Sequence, residues 1–216
     1  MKPEWETDQA SATFTMLYQK DMYIPQYMYS LGSGGWGGET GKVTEKDISM
    51  DGRMYNRMQF TVNLRPGPNP VMLTAVSAGS KVVTVKRKVT TITSLPVTIL
   101  EEGKGNIAFT SPIHGYIQAT PGQKIDVSGN TLQHNDLFDK LTVSVERYQP
   151  ASKDSYQVYE EVKSFELPIK DQKFAGWFTL SEKGSYMIKV ISPAYIPFPE
   201  NGPSMTQWAD FAVEVE

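Results

Sequence analysis

No apolar stretch of this chain repeats every three or four residues. Each alternates instead, as in Thr13-Phe14-Thr15-Met16-Leu17-Tyr18, Leu141-Thr142-Val143-Ser144-Val145-Glu146 and Phe211-Ala212-Val213-Glu214-Val215. Period two is the mark of a strand with one buried face, because successive side chains leave a strand on opposite sides. Corners separate the alternating stretches: Asp51-Gly52, Pro66-Gly67, Ala78-Gly79, Thr120-Pro121-Gly122-Gln123, Ser128-Gly129-Asn130 and Asp171-Gln172. Glycine, proline and the short amides supply the dihedrals that turns require. Only Asn135 to Lys140 has room for a helical turn. The fold class that follows is all-β.

Two stretches share one layout. Phe60 to Val76, with Leu64-Arg65-Pro66-Gly67-Pro68-Asn69 at its centre, reads as strand, tight turn and strand. Gly176 to Ile191, with Leu180-Ser181-Glu182-Lys183-Gly184 at its centre, reads the same way. Two hairpins of one kind, over a hundred residues apart, suggest two β domains built alike. The 216 residues suit two domains of roughly 100 each. The expected division is 1–93 for the first domain, 94–106 for a linker marked by Pro96, Gly103 and Gly105, and 107–216 for the second. Within the linker, Val97 to Ile99 has the alternative of a strand continuing from the first domain. Residues 1–11 are polar and expected to fray. Met22 to Tyr29 reads as extended, with Pro25 confining it to an edge or bulge. Gly32 to Gly41, with six glycines in ten residues, reads as an inserted loop. The second half is expected to hold about seven strands.

At the paired stretches the chain resembles bacterial immunoglobulin-like repeats. Leu64-x-Pro66-Gly67-x-Asn69-x-Val71-x-Leu73-x-Ala75 is similar to their late hairpin. Phe174-x-Gly176-x-Phe178-x-Leu180-x-x-x-Gly184-x-Tyr186-x-Ile188-x-Val190 is similar to the same element in a second repeat. Pro112 and Gly122-Gln123-x-Ile125-x-Val127-x-Gly129 match the opening strands. The likeness covers about two thirds of the chain and departs from the family in lacking the Cys-Trp-Cys core. It implies two tandem Ig-like antiparallel β-sandwich domains and an extracellular or cell-surface setting, but no activity.

Charge and composition narrow the partners. A net charge of −3 offers no basic field for nucleic acid or anionic membrane. With no cysteine in the chain, disulfides, zinc–thiolate sites and thiol catalysis are excluded. No apolar run reaches the roughly 20 residues of a membrane span, and Met1 to Gln9 lacks the apolar core of a signal peptide. Leu95-Pro96-Val97-Thr98 begins like a cell-wall sorting signal but continues with Ile99 instead of Gly. Gly32-Ser33-Gly34-Gly35-Trp36-Gly37 satisfies G-x-G-x-x-G literally, yet no helix follows to hold a pyrophosphate, so no cofactor is expected.

Catalytic and metal signals are equally thin. His114 and His134 lie near turns, with no nucleophile or orienting acid specified beside them. Asn135, Asp136 and Asp139 read as turn residues ahead of a calcium site, and no metal is expected. Glu101-Glu102 and Glu160-Glu161 are adjacent, so on a strand each pair would face opposite ways. Lys86-Arg87-Lys88 reads as an edge-strand guard, with an anionic patch as the alternative. Trp177 and Trp208 fall in strand patterns and are expected in the core or between domains. The positive hint is aromatic: Tyr23, Tyr27, Tyr29 and Trp36 gather around the glycine-rich stretch as candidate ligand-binding residues, because exposed rings bury much area with few rotors. The expected role is a non-catalytic extracellular module for spacing, adhesion or accessory binding of a protein or polysaccharide. The alternatives are a carbohydrate-binding module using Trp36 and its tyrosines, and an enzyme built on His114 or His134.

Overall fold

A computed structural model describes residues 4–20, 26–30, 36–75, 79–89, 95–133, 139–151, 158–193 and 205–216; the side chains of 26–30, 36–40, 74–75 and 79–80 are outside that description. The protein is all-β. It divides into two compact units, Met1–Thr90 with Gln149–Val158, and Thr91–Tyr148 with Tyr159–Glu216.

The first unit contains β1 (Glu4–Thr7), β2 (Ser11–Gln19), β3 (Gln26–Ser30), β4 (Trp36–Thr40), β5 (Lys42–Met50), β6 (Arg53–Asn63), β7 (Gly67–Ala75) and β8 (Gly79–Arg87). They form two sheets, β2-β6-β5 and β1-β8-β7-β3-β4. Phe14, Met58, Phe60 and Val62 of one sheet share a core with Val71, Leu73, Val83 and Val85 of the other. The rings of Phe14 and Phe60 stack 5.1 Å apart across the β2–β6 pair. Alternation fixes this register, since a slip by one residue would turn every core side chain outward.

The second unit contains β9 (Thr98–Ile99), β10 (Ile107–Ser111), β11 (Tyr116–Ala119), β12 (Lys124–Thr131), β13 (Lys140–Tyr148), β14 (Tyr159–Lys170), β15 (Lys173–Thr179), β16 (Gly184–Ile191) and β17 (Gln207–Val215). The strand path is β10-β12-β15-β14-β13-β16-β17-β11, with β9 also on β17. The long strand β14 joins two layers. It pairs with β13 from Tyr159 to Pro168, but with β15 only at Ile169 and Lys170. Phe174 and Phe178 of β15 and Ile125 and Val127 of β12 then meet Val143 of β13, Ile188 of β16 and Phe211 of β17 in one core.

The longer strand paths have one order, β1-β8-β7-β3-β4 and β11-β17-β16-β13-β14, while the three-stranded parts differ, β2-β6-β5 against β10-β12-β15. In each unit, a short early strand runs parallel to the last one, β1 on β8 and β11 on β17, and every other pairing is antiparallel. Each divides its strands as an immunoglobulin-like sandwich does.

The expected hairpins at Leu64 and Leu180 are absent, because the flanking strands belong to different sheets. β6 pairs with β2 and β5 while β7 pairs with β8 and β3; β15 pairs with β12 while β16 pairs with β13 and β17. Both segments are crossovers over the end of a sandwich, and the buried Leu64 and Leu180 plug that end. Gly67 (φ +82°) and Gly184 (φ +147°) begin the next strand with dihedrals that favour glycine. Two residues on, a polar side chain reaches back to the carbonyl four residues before it: Asn69 Nδ2 to Arg65 O at 2.7 Å, and Tyr186 Oη to Glu182 O at 2.8 Å. The second is the tyrosine corner of such sandwiches, and in the first unit asparagine makes the same bond.

True hairpins occur at Asp51-Gly52 and Asp171-Gln172, each with two positive φ angles, which match the strand twist in a two-residue loop. Thr120 to Gln123 turns as expected, with Gly122 at φ +80° and Gln123 N–H donating to Thr120 O. Other expectations change. Glu4–Thr7 is not frayed but a strand, held by its parallel ladder to β8, whose residues lie 80 positions on in the sequence. β3 lies inside its sheet, between β7 and β4, rather than at an edge; Pro25 lies outside the described residues. Trp36–Thr40 of the expected glycine loop is strand β4, paired to β3 with Ser30 opposite Trp36, so the ladder outweighs glycine's entropy; 31–35 lie outside the described residues. β8 is no edge, since β1 covers it along Thr84–Arg87, and Lys88 pairs with Glu6. Ser128-Gly129-Asn130 continues strand β12, where Gly129 admits the Ala108 carbonyl 2.1 Å from where a Cβ would sit.

The expected linker is folded chain. β9 pairs with β17, and a 3-10 turn at Glu101–Gly103 packs so that a Cβ on Gly103 would lie 2.2 Å from Trp208 O. The strand at 98–99 thus joins the second unit's sheet rather than continuing the first unit. Residues 134–138, which include His134, Asn135 and Asp136, lie outside the described residues.

Candidate functional site

The side chain that departs furthest from its sequence expectation is Trp177. Its strand, β15, alternates strictly, so Phe174 and Phe178 enter the core while Lys173, Ala175, Trp177 and Thr179 face outward. The indole is 59% exposed, against 3% for Trp208 in the core. Register places Asp126 of β12 directly opposite Trp177, Lys124 opposite Thr179 and Ser128 opposite Ala175. Cross-strand partners lie on one face, so these residues form a single outer surface. Lys124 Nζ sits 5.7 Å from the indole centroid and pairs with Asp126 Oδ1 at 2.7 Å. The cation over the ring restrains its rotamer. Beside it Ala175 and Ser128 are small, and the Ser128 hydroxyl is shared with Thr110 at 2.9 Å. The result is a flat indole with a carboxylate, an ammonium and hydroxyls around it.

Two residues on from Trp177, Thr179 is among the residues lining a cleft of about 200 Å³, together with Arg147, Val162, Lys163, Leu180, Glu182 and Tyr186. Its cause is the path of β14. That strand pairs with β15 only at Ile169 and Lys170 and otherwise follows β13, so β14 and β15 are unpaired alongside the cleft. Arg147 is opposite Tyr186, and Lys163 is opposite Val145. Arg147 thus shares a row with the buried Tyr186, while Lys163 is exposed at the edge of the cleft. Arg147 donates to a Glu182 carboxylate oxygen and, at 2.9 Å, to Lys183 O, with its guanidinium 6.0 Å from the Tyr186 ring centroid. Burial pushes the Tyr186 hydroxyl up from its ordinary pKa, Arg147 opposing and Glu182 adding to that shift.

A second set of charges lies on the opposite face of β13, β16 and β17. Lys189 Nζ meets Glu146 Oε1 at 2.8 Å with the two side chains 5% and 1% exposed. Asp210 stands opposite Lys189 and accepts from Gln207 Nε2 at 2.9 Å. Here Lys189 pairs with Glu146 and Asp210 accepts from Gln207, which suits a structural role. Among the described residues no group of three or more histidines and acids could hold a metal ion.

The sequence candidates fare differently. Tyr23 lies outside the described residues. Tyr27, Tyr29 and Trp36 are placed by backbone alone, Tyr27 opposite Glu39 and Leu73, Tyr29 opposite Gly37 and Val71, and Trp36 opposite Ser30. His114 is half-buried in the β10–β11 turn, and no acid bonds to it among the described residues. Glu160 and Glu161 do diverge: Glu161 accepts from Ser144 Oγ at 2.6 Å, while Glu160 is opposite Arg147. Sequence reasoning missed Trp177 because a tryptophan in an alternating strand is read as core. The parity was legible: Trp177 is out of phase with Phe174, Phe178 and Leu180.

No protein-family model matches the chain, and no curated protein matches it in sequence. Among solved structures, Escherichia coli alpha-2-macroglobulin activated by porcine elastase aligns over 99% of this chain and 19% of its own at 8% identity and TM-score 0.29. The trypsin-activated Escherichia coli alpha-2-macroglobulin aligns over 99% and 15% at 8% identity and TM-score 0.30. The SGBP-B protein of the Bacteroides ovatus mixed-linkage glucan utilization locus, in complex with a mixed-linkage heptasaccharide, aligns over 100% and 43% at 13% identity and TM-score 0.20. The chain thus spans less than a fifth of the length of either macroglobulin. Overlaps this weak bear on neither fold nor function, both of which rest on the strand pairings and side chains above.

Proposed function

We propose that this protein is a non-catalytic binding module, working outside the cell or on its surface, that holds carbohydrate on the outer face of β10, β12 and β15. The observation that supports the reading is the exposed indole of Trp177 in a ring of short polar side chains. A sugar ring offers an apolar C–H face and a rim of hydroxyls. The first matches an exposed indole, and the second matches Asp126, Lys124 and the Ser128–Thr110 pair as acceptors and donors. A side chain already restrained by Lys124 loses little rotamer freedom on binding. The resemblance of Gly176 to Ile191 to repeats of bacterial surface proteins supports the setting. This reading sets the site in the second unit, with the tyrosines near Trp36 as the alternative.

A glycan array read with wild type, Trp177→Ala and Trp36→Ala tests this. The expected result is a saccharide signal that Trp177→Ala lowers by about thirtyfold, the effect of losing a central aromatic contact of about 2 kcal/mol, and that Trp36→Ala leaves in place. A signal lost with Trp36→Ala and kept with Trp177→Ala would return the site to the first unit. Silence across the array would count against carbohydrate.

A further inference from the structure

We infer that the cleft between β14 and β15 receives the carboxylate of an acidic saccharide, one ring of which lies on Trp177. This rests on the reading of Trp177 as a sugar platform and names the class of sugar it would take.

Charge decides the class. Although the chain carries a net charge of −3, the cleft holds two cations, Arg147 and Lys163, against one acid, Glu182. Glu182 is already spent on Arg147. The Lys163 ammonium lies 5.7 Å from the Phe165 ring centroid, and among the described residues no carboxylate stands within 4.0 Å of it. Lys163 is exposed at the edge of the cleft, so its pull on a carboxylate is felt at low ionic strength and screened by added salt.

Size and spacing agree with the charge. A volume of about 200 Å³ takes a carboxylate together with several waters of about 30 Å³ each. Thr179, in the cleft lining, is two residues from Trp177 on the same strand face, about 7 Å along it. Adjacent rings of one chain can bridge that span. A neutral polysaccharide would use the indole and leave Lys163 unanswered. A uronic acid residue answers both.

The test is titration calorimetry of the full chain with oligogalacturonate and with the same oligosaccharide after carboxyl reduction. The wild type should bind the acid form about tenfold more tightly at low salt, the scale of one hydrogen bond to a charged group. Lys163→Gln should abolish that preference without changing affinity for the reduced form, and Trp177→Ala should weaken both. Equal affinity for the two sugars, or a preference that survives Lys163→Gln, would overturn the acidic specificity while leaving the Trp177 platform standing. Binding of neither sugar, or of both with no loss in Trp177→Ala, would overturn the platform and this inference with it. Binding of poly-glutamate, dependent on Lys163 and without any saccharide binding, would assign the cleft to an acidic protein partner and overturn the inference.

Discussion

Replacing Asn69 by alanine probes the crossover between β6 and β7. The side-chain carbonyl accepts from Arg65 N–H at 2.8 Å, and its amide donates to Arg65 O at 2.7 Å and Gly67 O at 2.8 Å, with Val85 O at 3.2 Å as a weaker third acceptor. An NH2 group has two protons, so three good bonds are at stake rather than four. At a net value of about 1 kcal/mol each, the loss is about 2–3 kcal/mol. For a unit of this size that lowers Tm by about 8–24 °C. Urea and thermal denaturation followed by circular dichroism would measure it. Asn69→Asp should be no better than alanine, because it keeps the acceptor for Arg65 N–H but sets a carboxylate against three carbonyls. A cost below about 0.5 kcal/mol for Asn69→Ala, or a stable Asn69→Asp protein, would refute the idea that one side chain ties the crossover together.

Two further outcomes follow from the second unit. Lys189→Met leaves Glu146 buried without its cation and should destabilise by about 3–5 kcal/mol in urea titration; a change within 1 kcal/mol would show the pair is not buried in solution. Tyr116 is pushed up to about 12, first by burial and then by the charge of Glu214. Because its folded pKa lies above its unfolded value, the stability it lends is complete below pH 10 and drains away as pH rises toward 12. Ultraviolet titration should show a late phenolate that Tyr116→Phe removes, and its absence from the wild type would contradict the assignment.

Much of the fold was written locally. Alternation located most strands, and Asp51-Gly52 and Asp171-Gln172 specified their hairpins. The errors share one cause: a strand pattern does not say which strand will be its neighbour. Leu64 to Asn69 and Leu180 to Gly184 look like hairpin loops in sequence and become crossovers only once the sheets are known. Glu4–Thr7 and Thr98–Ile99 are strands because β8 and β17 present open ladders far along the chain, a signal no short window carries. The same limit hid the site. Trp177 could be told from a core residue by its phase, but the partnership of Arg147, Lys163 and Glu182 depends on β14 leaving β15 for β13. Glu146, Lys189 and Asp210 sit at positions that alternation assigns to solvent, so the strand pattern carries no signal of their burial.

The central claim is that Trp177 is the surface a saccharide meets. Its indole N–H resonance, assigned by its loss in Trp177→Phe, can be followed while an oligosaccharide identified on the array is titrated in. A saturable shift of that resonance, with the buried Trp208 indole unmoved, is the predicted result. A saccharide that binds and shifts other resonances while that of Trp177 stays still would contradict it.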